Sequence, residues 1–397
     1  MGRAEFIALM AMMFATIAFS IDAMLPALDD IGVDLSPSDT TKAALIITSF
    51  FLGMGLGTFF TGPLSDTFGR RNVMFGGAAL YSASAAVAWM AQSLEIMLVA
   101  RLIQGIGASG PRIVCMAIIR DLYSGREMAR ILSIVMMIFT LVPGFAPALG
   151  AVIADLAGWR AIFAAFILFS LISSLWLGLR LPETLPEHDR RPLRLFSILS
   201  AVRQMFAHPV VRIAILVQSL VMAILFSVLV LVHPIYAEVY DKAESFPFWF
   251  GAIALFSATS NLLNAVLVGR FGMRRLITVA LIVQVVFSSL VLVIATTVQA
   301  PSFAIFAVWQ AFVFFQVGLT AGNLNALAME PMGHIAGTAA SVVGAVSTLL
   351  AACIASPVSL LFDGTIVPLL GAVLVIAILA LSLMLYIRKL EHIVAEV

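Results

Sequence analysis

Gly62-Pro63-Leu64-Ser65-Asp66-Thr67-Phe68-Gly69-Arg70-Arg71 sets a Gly-Pro pair, an acid and two adjacent arginines between two long apolar runs. Arg270-Phe271-Gly272-Met273-Arg274-Arg275 does much the same later on, again between apolar runs. Aligning the two Phe-Gly pairs gives an offset of 203 residues in a chain of 397. A repeat of about half the chain predicts two copies of one helical unit, each with a charged turn at the corresponding place. In the first copy, Gly62-Pro63 is expected to end a helix. Asp66 is expected to meet the positive end of a neighbouring helix or an arginine of the other half. Such a contact can exist in one conformation and break in another, which makes Gly62, Asp66, Gly69, Arg70 and Arg71 candidates for a conformational latch. The plain alternative is a turn whose basic residues only set topology.

The runs flanking these turns belong to a chain that is 62% hydrophobic and 11% charged. Soluble domains carry about 25% charged residues, so this composition cannot coat a globule with a polar surface. Soluble enzymes, nucleic-acid binders and disordered chains are excluded. The chain instead divides into twelve apolar segments at roughly 5–27, 43–63, 73–92, 96–119, 131–154, 161–181, 211–235, 246–268, 276–297, 302–327, 335–358 and 364–387. Each is near the length of about 20 residues that crosses about 30 Å of hydrocarbon. The first follows Arg3 as a signal peptide would, but the segments after it and Asp22-Ala-Met-Leu-Pro26 predict that it is retained as a helix.

The expected architecture is an all-α membrane protein of twelve transmembrane helices in two pseudo-symmetric six-helix bundles around a central cavity. Its parts are an N-terminal bundle over 1–182, a polar cytoplasmic linker over 183–210 and a C-terminal bundle over 211–397. With the termini inside, the internal segments hold seventeen of the 22 Lys and Arg residues and the external ones three, namely Lys42, Arg160 and Lys242. Cytoplasmic termini follow from the positive-inside rule.

The two remaining arginines, Arg101 and Arg112, fall inside the fourth segment, and Asp22 falls inside the first. An ionisable residue in mid-span is costly and marks function by default. Asp22 and Arg101 each lie about six residues from the outer boundary, about 9 Å at 1.5 Å per residue, with opposite charge. A carboxylate whose burial or pairing changes between conformations can bind a proton in one and release it in the other, so these two are the candidate proton-coupling residues. A static helix-helix pair is the bland alternative. Eleven steps along a helix place Arg112 on the face of Arg101, together with Gly105 and Ala108, unless Arg112 merely snorkels to the headgroups.

Neutral polar residues in the spans complete the candidate substrate cavity: Asn261, Asn264, Gln310 and Asn323 join Asp22, Arg101 and Arg112. Each is as well suited to interhelical hydrogen bonding. His233-Pro234 marks a break suited to a hinge or gate. Pro143-Gly144-Phe145-Ala146-Pro147-Ala148-Leu149-Gly150 predicts a kinked helix that a neighbour approaches closely. Cys115 and Cys353 read as two small buried thiols. No phosphate loop, metal-spaced cluster or nucleophile-base pair is present, and Glu330 with His334 is a poor metal pair because Pro331 and Gly333 intervene.

These stretches resemble the major facilitator superfamily, and within it the twelve-span drug:proton antiporters of the Bcr/CflA type. Gly62 to Arg71 looks like the family's motif A. Arg101-Leu-Ile-Gln104-Gly105-Ile-Gly107-Ala108 looks like motif B, whose arginine is associated with proton coupling. Pro143 to Gly150 is similar to antiporter motif C, although it has Ala146-Pro147 where the general pattern prefers Gly-Pro, and Asp22 to Pro26 is similar to motif D. Arg120-Asp121-Leu-Tyr and Leu181-Pro-Glu-Thr-Leu185 look like subfamily features. The resemblance implies a transporter rather than an enzyme, set in the bacterial cytoplasmic membrane, functional as a monomer, without cofactor and driven by the proton gradient. Its partners would be protons, lipid and small hydrophobic or amphipathic compounds such as antibiotics, exported by alternating access. The alternatives are proton-coupled transport of one specific metabolite and, remotely, a receptor on the same fold.

Overall fold

The computed structural model describes residues 1–190, 192, 195–297 and 301–395, and among these residues there is helix and no strand. Arg191 and Arg194 lie outside the described residues, as do the side chains of His334, Arg388 and Lys389. The chain divides into two compact units, Met1–Ile198 and Leu199–Val397.

The first unit contains α1 (Arg3–Asp22), α2 (Leu28–Leu35), α3 (Leu45–Phe68), α4 (Arg70–Trp89), α5 (Leu94–Leu122), α6 (Gly125–Leu141), α7 (Ala146–Ala157) and α8 (Arg160–Arg180). Helix α9 (Leu195–Ala207) leads into the second unit, formed by α10 (Pro209–Pro234), α11 (Phe246–Phe271), α12 (Met273–Thr297), α13 (Phe303–Met329), α14 (Ala336–Ser359) and α15 (Val367–Ala395). Among the described residues, eleven helical stretches are long and apolar enough to cross a membrane. The twelfth span is α4, whose 20 residues also cover the required length but whose Gly76, Gly77, Tyr81, Ser82 and Ser84 lower its hydropathy. The span count agrees with the sequence reading. The first and fifth spans are broken: α1 and α2 are separated by a short 3-10 turn at Leu25–Ala27, and α6 and α7 by another at Val142–Gly144.

Helix α5 is central to the first unit because glycine lets its neighbours reach its backbone. A Cβ on Gly105 would overlap the Phe50 carbonyl oxygen of α3 and lie 2.8 Å from the Met54 nitrogen, while one on Gly107 would lie 2.7 Å from the Gly77 oxygen of α4. In lipid, where apolar surface gains little by leaving its solvent, such close backbone approach is a main source of helix association. Met10, Phe14, Val114, Ile118 and Leu177 fill the space between α1, α5 and α8 towards the arginine-rich end. In the second unit α10 packs against α13, α14 and α15. Val211, Ile215, Leu324, Val343 and Met384 form that core, and Met205 docks α9 onto it.

The paired turns have the same backbone. Helix α3 gives way to α4 at Gly69 with φ 92° and ψ 155°, and α11 to α12 at Gly272 with φ 76° and ψ 157°, a left-handed conformation that suits glycine. Gly62-Pro63 does not end its helix, contrary to expectation: α3 runs through Pro63 to Phe68. Proline there removes the N–H that would meet the Phe59 carbonyl, yet the helix continues, with hydroxyls adding bonds to later carbonyls. Ser65 donates to the Gly62 oxygen at 2.9 Å and Thr67 to the Pro63 oxygen at 3.0 Å. The cysteines also differ from expectation, since Cys115 is buried but Cys353 is exposed on α14.

The glycine contacts predict that Gly105→Ala, which sets a methyl against backbone that cannot rotate away, destabilises the protein by about 1–3 kcal/mol. Thermal unfolding of the purified protein in detergent measures it, and an unchanged melting temperature contradicts this account of the α3–α5 contact.

Candidate functional site

Two groups of polar residues are built into the first unit. At the arginine-rich end, Gly69 turns the chain so that the N-terminus of α4 faces the stretch after α8. There the Glu183 carboxylate accepts from the backbone nitrogens of Arg70 at 2.9 Å and Arg71 at 3.1 Å, and from those of Thr184 at 3.0 Å and Leu185 at 3.1 Å. One carboxylate thus caps two chain segments and answers the positive end of the α4 dipole. Arg70 is itself buried. Its guanidinium donates to the Ser65 hydroxyl at 2.8 Å, to Asp121 at 2.9 Å and to Asp66. Arg71 donates to the Gly178 carbonyl at 2.6 Å, with its guanidinium over the Phe75 ring.

The latch candidates Asp66, Gly69, Arg70 and Arg71 therefore come together, with a difference in roles: Asp66 binds Arg70 of its own turn, and Glu183 takes the helix end. Asp121 and Glu183 are essential to the arrangement. In the sequence they stood within stretches resembling subfamily features at the ends of the fourth and sixth spans, too far along the chain from Arg70 for spacing to join them.

The second group surrounds Arg101. This side chain is fully buried in α5 yet has no carboxylate within 4 Å among the described residues. It donates to the Gln104 side-chain oxygen at 2.8 Å and to the Ser20 carbonyl of α1 at 3.0 Å, its guanidinium lies 4.4 Å from the centre of the Phe50 ring, and its Nε finds no acceptor. The Ser20 hydroxyl in turn bonds the Tyr81 hydroxyl of α4. Asp22, two residues beyond Ser20, is the last residue of α1 and 4% exposed, and its side chain has no hydrogen-bond or ionic partner among the described residues. Arg101 thus meets α1 at the Ser20 carbonyl, two residues before Asp22, and the two candidates do not form the static pair. Ser20 and Tyr81 were missed, although a tyrosine among small residues in mid-span was a usable signal.

Arg112 lies on the same continuous helix as Arg101, Gly105 and Ala108 but does not share their burial: it is exposed and unpartnered among the described residues. The broken fifth span reaches the chain directly after Asp22. Pro143 and Gly144 lie in the 3-10 turn, Pro147 starts α7 within its first two positions, and a Cβ on Gly150 would overlap the Ala23 carbonyl directly after Asp22.

In the second unit, Asn323 of α13 donates to the Asn264 side-chain oxygen of α11 at 2.7 Å, the interhelical hydrogen bond weighed as their alternative. Asn261, a turn away, is exposed. Gln310 is fully buried and accepts from the Tyr236 hydroxyl at 2.9 Å. The break at His233-Pro234 is present as a π-helical turn, Ile235–Val239, following α10.

Because Glu183 serves four backbone donors, Glu183→Ala is predicted to cost about 1–2 kcal/mol and to fray the start of α4. Amide hydrogen exchange at Arg70 and Arg71 should accelerate in that variant, while Asp66→Ala, which leaves the cap intact, should change it far less. Equal acceleration in both contradicts the division of roles between the two acids.

Comparison with known proteins places this geometry. The sequence profile of the Major Facilitator Superfamily matches residues 7–356. The bicyclomycin resistance protein homolog of Haemophilus influenzae is 28% identical over 366 residues, covering 91% of each chain. The chloramphenicol resistance protein of Pseudomonas aeruginosa is 33% identical over 168 residues, 42% of this chain and 40% of its own. Among solved structures, the crystal structure of a D-xylose-proton symporter superposes with a TM-score of 0.76 at 17% identity, covering 96% of this chain and 97% of that one. At that identity the likeness speaks for the fold. With two six-span units, paired glycine turns and a matching profile over most of its length, the chain belongs to the Major Facilitator Superfamily and is a transporter.

Proposed function

We propose that this transporter exports small hydrophobic or amphipathic compounds, antibiotics among them, across a bacterial cytoplasmic membrane in exchange for protons. The observation that carries the reading is the Asp22 carboxyl, buried at the end of α1 without a partner and two residues from the carbonyl that holds Arg101. A carboxylate so placed lacks hydrogen bonds and faces the negative end of its own helix dipole; taking up a proton removes the second penalty and replaces a buried ion by a less costly neutral group. When movement of α1 brings the carboxyl to water or to the free Nε of Arg101, the charged form becomes affordable and the proton leaves. Alternating between these surroundings couples proton movement to conformation, with no ATP required.

The other groups serve this cycle. Asp66, Arg70 and Arg71, with Asp121 and Glu183, hold one conformation at the arginine-rich end, which the seventeen-to-three distribution of positive charge assigns to the cytoplasm together with both termini. The break at Pro143-Gly144 and the contact of Gly150 with Ala23 transmit bending of the fifth span to the residue next to Asp22. Arg112 and Asn261, polar and exposed, are the members of the expected substrate surface whose side chains are free to meet a ligand. The resistance activities in the names of the relatives support drug export as the direction and substrate class.

Everted vesicles loaded with a pH dye test the proposal against a panel of antibiotics. Addition of a transported compound should drive protons out of the wild-type lumen, and Asp22→Asn should abolish this while retaining compound binding. An Asp22→Asn variant that exchanges protons at the normal rate refutes the role of Asp22. Protons moving in the same direction as the compound refute antiport and favour symport of a metabolite.

A further inference from the structure

Between α1, α4, α5 and α8, on the arginine-rich side of Tyr81, lies a small cavity of about 10 Å³ within the first unit. That is close to the space one water requires. Thr16, Tyr81, Gly107, Pro111, Ser170 and Ser173 border it. Pro111 has no N–H, so the Gly107 carbonyl four residues earlier loses the donor that would have closed its helical hydrogen bond. Freed carbonyls in membrane helices are regularly satisfied by hydroxyls or ordered water. The hydroxyls around this one keep spare capacity. Thr16 and Ser173 donate to the Met12 and Phe169 carbonyls, at 3.4 and 2.6 Å, which leaves their oxygens to accept, whereas Ser170 accepts from Ser82 at 3.2 Å and keeps its own proton to donate. A water here can donate to the Gly107 carbonyl and to a hydroxyl oxygen while accepting from Ser170, within the two to four partners a buried water usually makes.

We propose that this cavity is an internal hydration site holding one ordered water, which satisfies the Gly107 carbonyl and extends the Ser20–Tyr81 hydrogen bond inward as a leg of the proton route. The hydration site stands on the cavity and on Pro111; its part in proton movement rests on the antiport reading above. Tyr81 is then a positioning residue that joins two polar regions of the bundle. On one side its hydroxyl bonds Ser20, whose carbonyl holds Arg101, and on the other it borders the cavity.

Met13 and Met74 also border the cavity and are nearly as buried as Met10 and Met97, which do not. Pulsed radiolytic labelling of the full chain in lipid nanodiscs with ¹⁸O water oxidises side chains beside bound water. Met13 and Met74 should label several-fold faster than Met10 and Met97, and Ala78→Val, which fills the cavity, should suppress that excess. Should Ala78→Val fail to fold, Ser173→Ala, which removes one partner, should reduce it. Wild-type labelling of Met13 and Met74 no faster than that of Met10 and Met97 overturns the hydration site. If labelling is suppressed but proton-coupled flux in everted vesicles keeps its wild-type rate, the water is structural and the proton leg is overturned, while the Asp22 reading remains separately testable by Asp22→Asn.

Discussion

Arg101 places a full positive charge among helices that offer it a carbonyl, an amide oxygen and an aromatic face, but no carboxylate among the described residues. Burying an ion without a counter-charge costs several kcal/mol after relaxation, so the surroundings must be held rigidly to keep it there. The glycines of α5 supply that rigidity. Gly105 and Gly107 bring α3 and α4 against its backbone, which fixes Phe50 beneath the guanidinium and Tyr81 beside Ser20. The carboxylate that could relieve this uncompensated charge is Asp22, two residues beyond the carbonyl that holds Arg101. A conformation that joins the two and another that separates them differ in electrostatic energy, and a proton on Asp22 shifts the balance between them.

The two units share a backbone plan but not its chemistry. At the 203-residue offset Asp66 corresponds to Gly269 and Arg70 to Met273, so the second turn keeps its glycine and loses the acid and the buried arginine. The duplication therefore preserves what the fold needs, a left-handed residue between two helices. The network of Asp66, Arg70, Asp121 and Glu183 belongs to the first unit. The proton-coupling candidates also lie there, whereas the second unit holds an amide pair and an aromatic group at Tyr236, Phe246, Phe303 and Phe306. Such a division would let one bundle carry the ion chemistry and the other adapt to ligands.

Span number and the repeat were legible because both follow from local quantities: apolar run length and a Phe-Gly pair recurring at a fixed offset. Asp22 and Arg101 were legible because charge in an apolar run is rare. What stayed hidden depended on contacts between distant segments. Glu183 caps α4 from more than a hundred residues away, and Asp121 meets Arg70 from another span end. Nothing local in Gly62-Pro63 told that α3 would continue past the proline. The different exposures of Arg101 and Arg112 reflect which neighbours cover α5 along its length, which angular position on a helix does not reveal.

The central claim is that Asp22 exchanges its proton as the transporter changes state. Substrate-induced difference infrared spectroscopy of the purified protein reads it at a single group. Adding a transported compound should deplete a protonated-carboxyl band in the wild type and release protons into a weak buffer, and both signals should vanish in Asp22→Asn. Persistence of the band change and the proton release in that variant would place the coupling elsewhere and contradict the account.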